Sequence, residues 1–465
     1  MAGVTFCSRG GLNKGGIRSR IHPRAPFLQG GVFVSGEDHP FPIGIAMQRL
    51  SRLGLRALYS TSAADRVSGF APSVWSEVLP IMARSNAINL GQGFPDFAPP
   101  EFVMSAMAEA ARNPACLQYS RSQGALPLVE AISDHYSPTF KRQIDPLTEV
   151  LVTAGASQGI SSALQALVNE GDEVILFEPF FDSYYGSVKL AGGKSVYVPL
   201  RRKTGTVHSS EDWYIDMSEL ASAITPKTKV ILFNNPHNPV GKSFSLPELE
   251  AVAHLAQKHD LIVLSDEVYD CMTMDGLTHQ RLASIDGMWE RTVTLGSAGK
   301  SFSATGFKIG WATGGSALIN AIWMSTQYTT YCINSPSQHA VAAAFRVAES
   351  GNYWQELQAS IQSKRDIFCS YLEKCGLTPI IPQGTYFVMS DTSNIQLPAS
   401  FTDTRRDYDV NKYLIESARV GGIPPGAFYS PENAVMANSY LRFCFVKKDE
   451  VLHEAGQRLH QLLSP

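Results

Sequence analysis

The sequence predicts an α/β fold: a large domain with a mostly parallel sheet sandwiched by helices, and a smaller α+β domain built from N- and C-terminal segments. Three observations predict it. Apolar, β-branched runs at Val150-Leu-Val-Thr153, Val174-Ile-Leu-Phe177, Val230-Ile-Leu-Phe233, Leu261-Ile-Val-Leu264 and Thr292-Val-Thr-Leu295 are each nearly continuous in hydrophobicity, which is how strands covered on both faces read. Helical patterns separate them, such as Ile160, Ala163, Leu164, Leu167 and Val168 on one apolar face. Beyond about Arg346 the pattern changes to a long amphipathic helix near Tyr353–Lys374, then isolated strand signals at Thr385-Tyr-Phe-Val-Met389 and Tyr440-Leu-Arg-Phe-Cys-Phe445. A second domain is expected there, completed by the segment around residues 70–110.

Taken from the N-terminus, the 465-residue chain divides by charge before it divides by fold. Residues 1–60 hold eight basic and two acidic residues, and the remainder 31 and 40, so a +6 tail precedes a −9 body. Within residues 47–62, Arg49, Arg52 and Arg56 recur at helical spacing beside Leu50, Leu53 and Leu58, and a hydroxylated stretch follows. This pattern reads as an import presequence, with the mitochondrial matrix as the expected destination. A plastid address, or a cytoplasmic product if translation starts at Met47, are the alternatives. The expected division is a targeting presequence over 1–62, an N-terminal segment of the small domain over 63–114, the large domain over 115–345 and the small C-terminal domain over 346–465. An acidic body without a long basic run argues against nucleic acid as a partner. No apolar run reaches the ~18 residues of a membrane span. Seven scattered cysteines without a CxxC pair point to free thiols in a reducing compartment, and no metal site is expected.

Each of the five strand candidates ends in a polar or glycine-rich segment, and open parallel sheets bind ligands beyond the carboxyl ends of their strands. Ala154-Gly-Ala-Ser-Gln158 runs into a helix, and its free amides suit a phosphate as well as an ordinary N-cap turn. Lys300, in Ser297-Ala-Gly-Lys300-Ser-Phe-Ser303, is flanked by small residues that open access to an amine able to form a Schiff base; a solvated loop lysine is the plainer alternative. Asp266 ends a strand of Leu, Ile, Val and Leu, where a carboxylate needs a cationic or donor partner. Tyr269 lies three residues on and can face the same cavity. Asn234-Asn-Pro-His-Asn-Pro-Val-Gly-Lys242 is too rich in turn residues for helix or strand and reads as a rigid loop presenting Asn238.

The ordered set Asn238, Asp266, Tyr269 and Lys300, each after a strand, resembles the fold-type I pyridoxal-phosphate aminotransferases over nearly the whole body. Asn89-Leu-Gly-Gln-Gly-Phe-Pro-Asp-Phe97, Glu178-Pro-Phe-Phe-Asp182, the Asn234–Lys242 loop, the run from Ser297 to Trp311 and Leu441-Arg-Phe-Cys-Phe445 are most similar to the kynurenine aminotransferase / glutamine transaminase K subfamily. The resemblance implies a ping-pong transaminase moving an amino group from an L-amino acid of kynurenine, glutamine, methionine or aromatic type to a 2-oxo acid. It implies pyridoxal 5′-phosphate as cofactor and an obligate homodimer. Lys300 would be the Schiff-base lysine and proton shuttle, Asp266 the partner of the cofactor's ring nitrogen, Asn238 and Tyr269 donors to its phenolic oxygen, and Phe181 a stacking ring. Ala156, Ser157, Ser297 and Lys308 would hold the phosphate, joined by Tyr119 of the partner subunit. Arg442 would clamp the substrate carboxylate, with Gly93 and Trp75 lining the side-chain pocket and Asn238 bordering it.

The chain also departs from that pattern. Where the subfamily places a Phe-His pair from the partner subunit, Tyr331-Cys332 stands here, which leaves the preferred donor open. A cysteine-S-conjugate β-lyase on the same scaffold is the alternative activity.

Overall fold

The computed structural model describes residues 64–205 and 207–464; the expected presequence over 1–62 lies outside them. Its principal elements begin with helix α1 (Val74–Arg84), the short strand β1 (Ile88–Asn89), α2 (Glu101–Arg112) and α3 (Leu126–Tyr136). There follow β2 (Val150–Thr153), α4 (Ala156–Leu167), β3 (Glu173–Glu178), α5 (Ser183–Leu190), β4 (Lys194–Pro199), β5 (Thr228–Asn234), α6 (Leu246–Lys258), β6 (Ile262–Asp266), β7 (Thr292–Ser297) and β8 (Gly310–Gly314). Helices α7 (Ser316–Thr329), α8 (Ser335–Glu349) and α9 (Tyr353–Lys374) lead to β9 (Thr378–Ile380), β10 (Phe387–Asp391), α10 (Arg406–Ser417), β11 (Val420–Gly421), β12 (Tyr440–Cys444) and α11 (Asp449–Leu463).

All five apolar runs lie in one seven-stranded sheet of order β2-β8-β7-β6-β5-β3-β4. Its strands are parallel except β8, which is antiparallel to both β2 and β7. Helices cover both faces and bury every residue of β2 and β7, which explains why those strands read as nearly unbroken apolar runs. Register brings the functional ends to one edge: Thr153 and Ser297 both pair with Gly310, and Asn234 pairs with Asp266.

The C-terminal part is a three-stranded antiparallel sheet, β9-β10-β12, backed by α9 and α11 through Phe368, Leu372, Leu452 and Leu459. The expected segment 63–114 divides between the two bodies. Helix α1 buries Val74, Val78 and Met82 against Ile415, Ile423 and Phe428, and β1 pairs with β11 through Ile88 and Val420. Helix α2 instead packs on α8 of the large body, where Val103 enters a core with Val341 and Phe345. The link between α1 and α2 therefore runs from one body to the other. Among the described residues no helix is long and apolar enough to cross a membrane, and six cysteines are unpaired.

Candidate active site

Beyond the carboxyl edge of the sheet lies a cavity of about 370 Å³. One end of it is an anion cradle. Gly155 is the N-cap of helix α4; its φ of +75° is a conformation only glycine adopts without strain, and no side chain caps the helix among the described residues. The amides of Ala156 and Ser157 therefore keep unfilled hydrogen-bonding capacity at the positive end of the helix dipole. Ser297 and Lys308 line the same end. A Cβ built on Gly155 would come within 3.2 Å of Lys308 Nζ, which places that ammonium directly beside the cradle.

The opposite end carries a buried acid. Asp266 terminates β6 and accepts from Tyr184 Oη at 2.5 Å on Oδ2, while among the described residues Oδ1 receives only the long 3.4 Å contact from the Val268 amide. Burial raises its carboxyl to about 6, against the lowering pull of Tyr184, the Val268 amide and Lys300. A cationic N–H facing Oδ1 would complete its partners. Its backbone carbonyl accepts from Asn234 Nδ2 at 2.8 Å, and Asn234 Oδ1 accepts from the Asn238 amide at 2.7 Å, so the turn-rich loop is tied to the same strand end. Burial pushes Tyr269 well above the usual phenol range, which keeps its hydroxyl a donor.

Lys300 follows β7 and reaches into the cavity between these two ends. Its Nζ donates to Tyr386 Oη at 2.5 Å and lies 3.4 Å from the carbonyl of Gly93. Burial lowers its amine to about 8, with Arg442 and Lys308 pushing the same way and Asp266 opposing them. Arg442, on β12, is almost fully buried. Its Nη1 donates to Asn238 Oδ1 at 2.9 Å and its Nη2 to the Gly91 carbonyl at 2.7 Å, while Nε is buried with no partner among the described residues. The guanidinium lies 3.9 Å from the Phe387 ring centre. Trp75, brought in by α1, donates Nε1 to Asp182 Oδ2 at 3.0 Å and lines the same wall.

The comparisons with known proteins agree with this geometry. A profile of the aminotransferases of class I and II matches residues 85–459. The kynurenine–oxoglutarate transaminase of Dictyostelium discoideum is 44% identical over 422 residues, which span 87% of this chain and 97% of that protein. The human kynurenine–oxoglutarate transaminase 3 is 40% identical, over 86% of this chain and 92% of its own length. Among solved structures, Bna3p of Saccharomyces cerevisiae superposes with a TM-score of 0.83 at 35% identity, covering 86% of this chain and 99% of that one. The chain belongs to the class I and II aminotransferases.

As an aminotransferase of this family it implies pyridoxal 5′-phosphate as cofactor, and the cavity fits that molecule. The uncapped α4 and Lys308 suit its phosphate, and the incompletely satisfied Asp266 carboxylate suits its protonated ring nitrogen. Lys300 stands between them. Every site residue expected from the sequence lines this cavity except Tyr119: Trp75, Gly93, Ala156, Ser157, Phe181, Asn238, Asp266, Tyr269, Ser297, Lys300, Lys308 and Arg442 are all on its walls. Tyr119 is 84% exposed on the outer surface and packs edge to face on Tyr331 with ring centres 5.5 Å apart. Two contributors were not expected. Tyr184, on α5, reads as an ordinary helix aromatic, and Tyr386 as a strand residue; each meets its site partner from more than eighty residues away in sequence. A signal for Tyr184 existed only in its place just after the Glu178-Pro-Phe-Phe-Asp182 loop.

Proposed function

We propose that this aminotransferase takes kynurenine and related aromatic, glutamine-type or methionine-type amino acids as donors and a 2-oxo acid as acceptor, working as a homodimer by a ping-pong mechanism. The observation that carries this reading is the presence of Lys300 Nζ, Asp266 and the Arg442 guanidinium on the walls of one cavity. Bound pyridoxal phosphate supplies a sink for the electron pair left on the amino acid's Cα when its proton is removed. The chain's own residues do the rest. Ala156, Ser157, Ser297 and Lys308 bind the phosphate, and Phe181 covers a ring face. Asp266, ionised and oriented by Tyr184, holds a proton on the ring nitrogen. Tyr269 and the NH2 group of Asn238, whose Oδ1 is already occupied by Arg442, donate to the phenolic oxygen.

Lys300, with its amine lowered to about 8, has a neutral fraction near physiological pH far above that of an ordinary lysine, and that neutral form takes the Cα proton. Arg442 keeps its Nε free to complete a fork on the substrate carboxylate, a planar recognition that lysine does not reproduce. An amino acid and a 2-oxo acid both carry that carboxylate beside the reacting carbon. A single Arg442 therefore makes them take turns in one site, the requirement of a ping-pong scheme. Trp75, Phe94 and Phe387 give the side-chain pocket aromatic walls, in keeping with the aromatic donor named in the relatives. The basic tail over 1–62 supports a mitochondrial-matrix address.

The test is a panel of kynurenine, glutamine, methionine and phenylalanine against several 2-oxo acids, with amino-acid product measured. Turnover with kynurenine and 2-oxoglutarate, abolished in Lys300→Ala, is expected. Pyruvate and ammonia released from a β-substituted cysteine as the dominant reaction, with no 2-oxo acid needed, would replace this reading by the β-lyase, which no present observation favours.

A further inference from the structure

The segment Asp266-Glu-Val-Tyr-Asp270 turns its side chains to two sides. Asp266 and Tyr269 line the active-site cavity, whereas Glu267 and Asp270 point away from it and are 1% and 8% exposed. Two buried carboxylates on one tight turn repel each other unless a cation lies between them. Arg281 is that cation. Its Nη1 donates to Glu267 Oε2 at 2.6 Å, its Nη2 to Asp270 Oδ2 at 2.8 Å, and its Nε to Thr139 Oγ1 at 3.1 Å. The guanidinium is itself fixed against the rings of Tyr136 and Phe140, at 4.8 and 5.0 Å. All three nitrogens are thus used, and the arginine has no freedom to leave.

We propose that Arg281 is a positioning residue for the coenzyme: by gripping Glu267 and Asp270 it fixes the turn so that Asp266 and Tyr269 face the cavity, and it cancels the charge of Glu267 next to Asp266. The inference rests on the proposed roles of Asp266 and Tyr269. The geometry argues for it because the gripped residues and the cavity-facing residues alternate on one short turn, which also carries the Asp270 N–H to Glu267 C=O bond of 3.0 Å. Rotation that frees one pair misdirects the other.

The electrostatics point the same way. On the cavity side Asp266 faces Tyr184, Tyr269 and Lys300, and behind it Glu267, whose charge raises it. On the far side Arg281 faces Glu267, Asp270 and Tyr136, with His279 Nε2 at 2.8 Å from Glu267 and His135 near Asp270. Burial alone would raise Asp270, yet Arg281 leaves it below the usual carboxylate range. Without Arg281 the Glu267 carboxylate loses its guanidinium partner and its charge lies uncompensated behind Asp266. Any proton held beside Asp266 is then held to higher pH.

The test uses the holoenzyme and titrates the visible absorption band of the bound coenzyme against pH, alongside kcat. Arg281→Met is expected to move the band's midpoint upward by about one pH unit and to lower kcat roughly 10- to 100-fold through misplacement of the acid. Adding Glu267→Gln to it should return the midpoint toward the parent value, since the uncompensated charge is gone. Arg281→Lys keeps a cation that cannot fork onto both carboxylates and should show a smaller shift of the same sign. If Arg281→Met does not accumulate as folded protein, Arg281→Lys decides by the same titration. A folded Arg281 variant whose midpoint and kcat match the parent overturns the proposal. Asp266→Asn separates this from the underlying reading: if it leaves coenzyme binding and the band unchanged, the role of Asp266 fails; if it abolishes them while Arg281 variants are silent, only the positioning role fails.

Discussion

Lys300, in its proposed catalytic role, works against the stability of its own fold. Removing its amine from water lowers it from 10.5 to about 8. Between those values the unfolded chain binds the proton and the folded one does not. Because stability rises with pH wherever the unfolded state binds more protons, the coenzyme-free enzyme gains stability from pH 8 to 10.5 and carries the full penalty below pH 8. At about 1.4 kcal/mol per unit the penalty is about 3 kcal/mol, offset by about 1 kcal/mol from the hydrogen bond to Tyr386. Lys300→Met should therefore abolish turnover and raise the stability of the coenzyme-free protein at pH 7 by about 2 kcal/mol, and that gain should shrink toward pH 10.5. Urea denaturation at the two pH values measures it; a variant less stable than the parent at pH 7 contradicts the assignment. Lys300 and Asp266 were legible in the sequence because their types are incongruous in their settings, a lysine among small residues and an acid ending an apolar strand, whereas Arg442 came only through the resemblance of Leu441-Arg-Phe-Cys-Phe445 to the family. Tyr184 and Tyr386 were not, since an aromatic on a helix or strand is what any core supplies, and only tertiary contact gives their hydroxyls a role.

At the scale of elements, the same contrast separates strands that were legible from those that were not. Strands covered on both faces announce themselves by unbroken Val, Ile, Leu and Phe, and all five such runs entered the sheet. Strand β4 has half-exposed residues at the sheet edge and no such run. Strand β8 is fully buried, yet its sequence Gly-Trp-Ala-Thr-Gly has no run of Val, Ile, Leu or Phe. The reason is its position between β2 and β7 beside the anion cradle. A Cβ on Gly310 would fall 2.6 Å from both the Ala156 nitrogen and the Gly155 carbonyl carbon, atoms of backbone that cannot swing aside. The smallest residue therefore sets how closely β8 approaches the turn proposed to bind phosphate. Gly310→Ala is expected to push that turn outward and weaken coenzyme binding by at least about 10-fold, with the fold retained, since a displacement near 1 Å suffices to spoil such a site. Equilibrium dialysis of coenzyme against the variant checks this; unchanged affinity would mean that the cradle tolerates the shift.

For the whole molecule, the decisive surface is the one that carries Tyr119. Tyr119, Tyr328, Tyr331 and Leu117 are 84%, 87%, 55% and 52% exposed, and Tyr119 already stacks on Tyr331. Large aromatic side chains held together in water mark an interaction surface, and tyrosines are the residues that anchor such interfaces. Within the proposed homodimer this patch is covered, and each Tyr119 hydroxyl reaches the partner's phosphate site. The two functions separate by mutation. Replacing Tyr328 and Tyr331 together by Glu places four charges in the symmetric interface, so sedimentation velocity should show the parent dimer becoming a monomer whose coenzyme affinity is also reduced. Tyr119→Phe keeps the ring and the packing, so the dimer should persist while coenzyme affinity falls roughly 10- to 100-fold, the worth of one hydrogen bond to a charged group. A paired Glu variant that stays dimeric places the interface elsewhere. Dimer loss combined with full coenzyme affinity in Tyr119→Phe keeps the interface but removes Tyr119 from the partner's site, leaving the cradle of Ala156, Ser157, Ser297 and Lys308 sufficient within one chain.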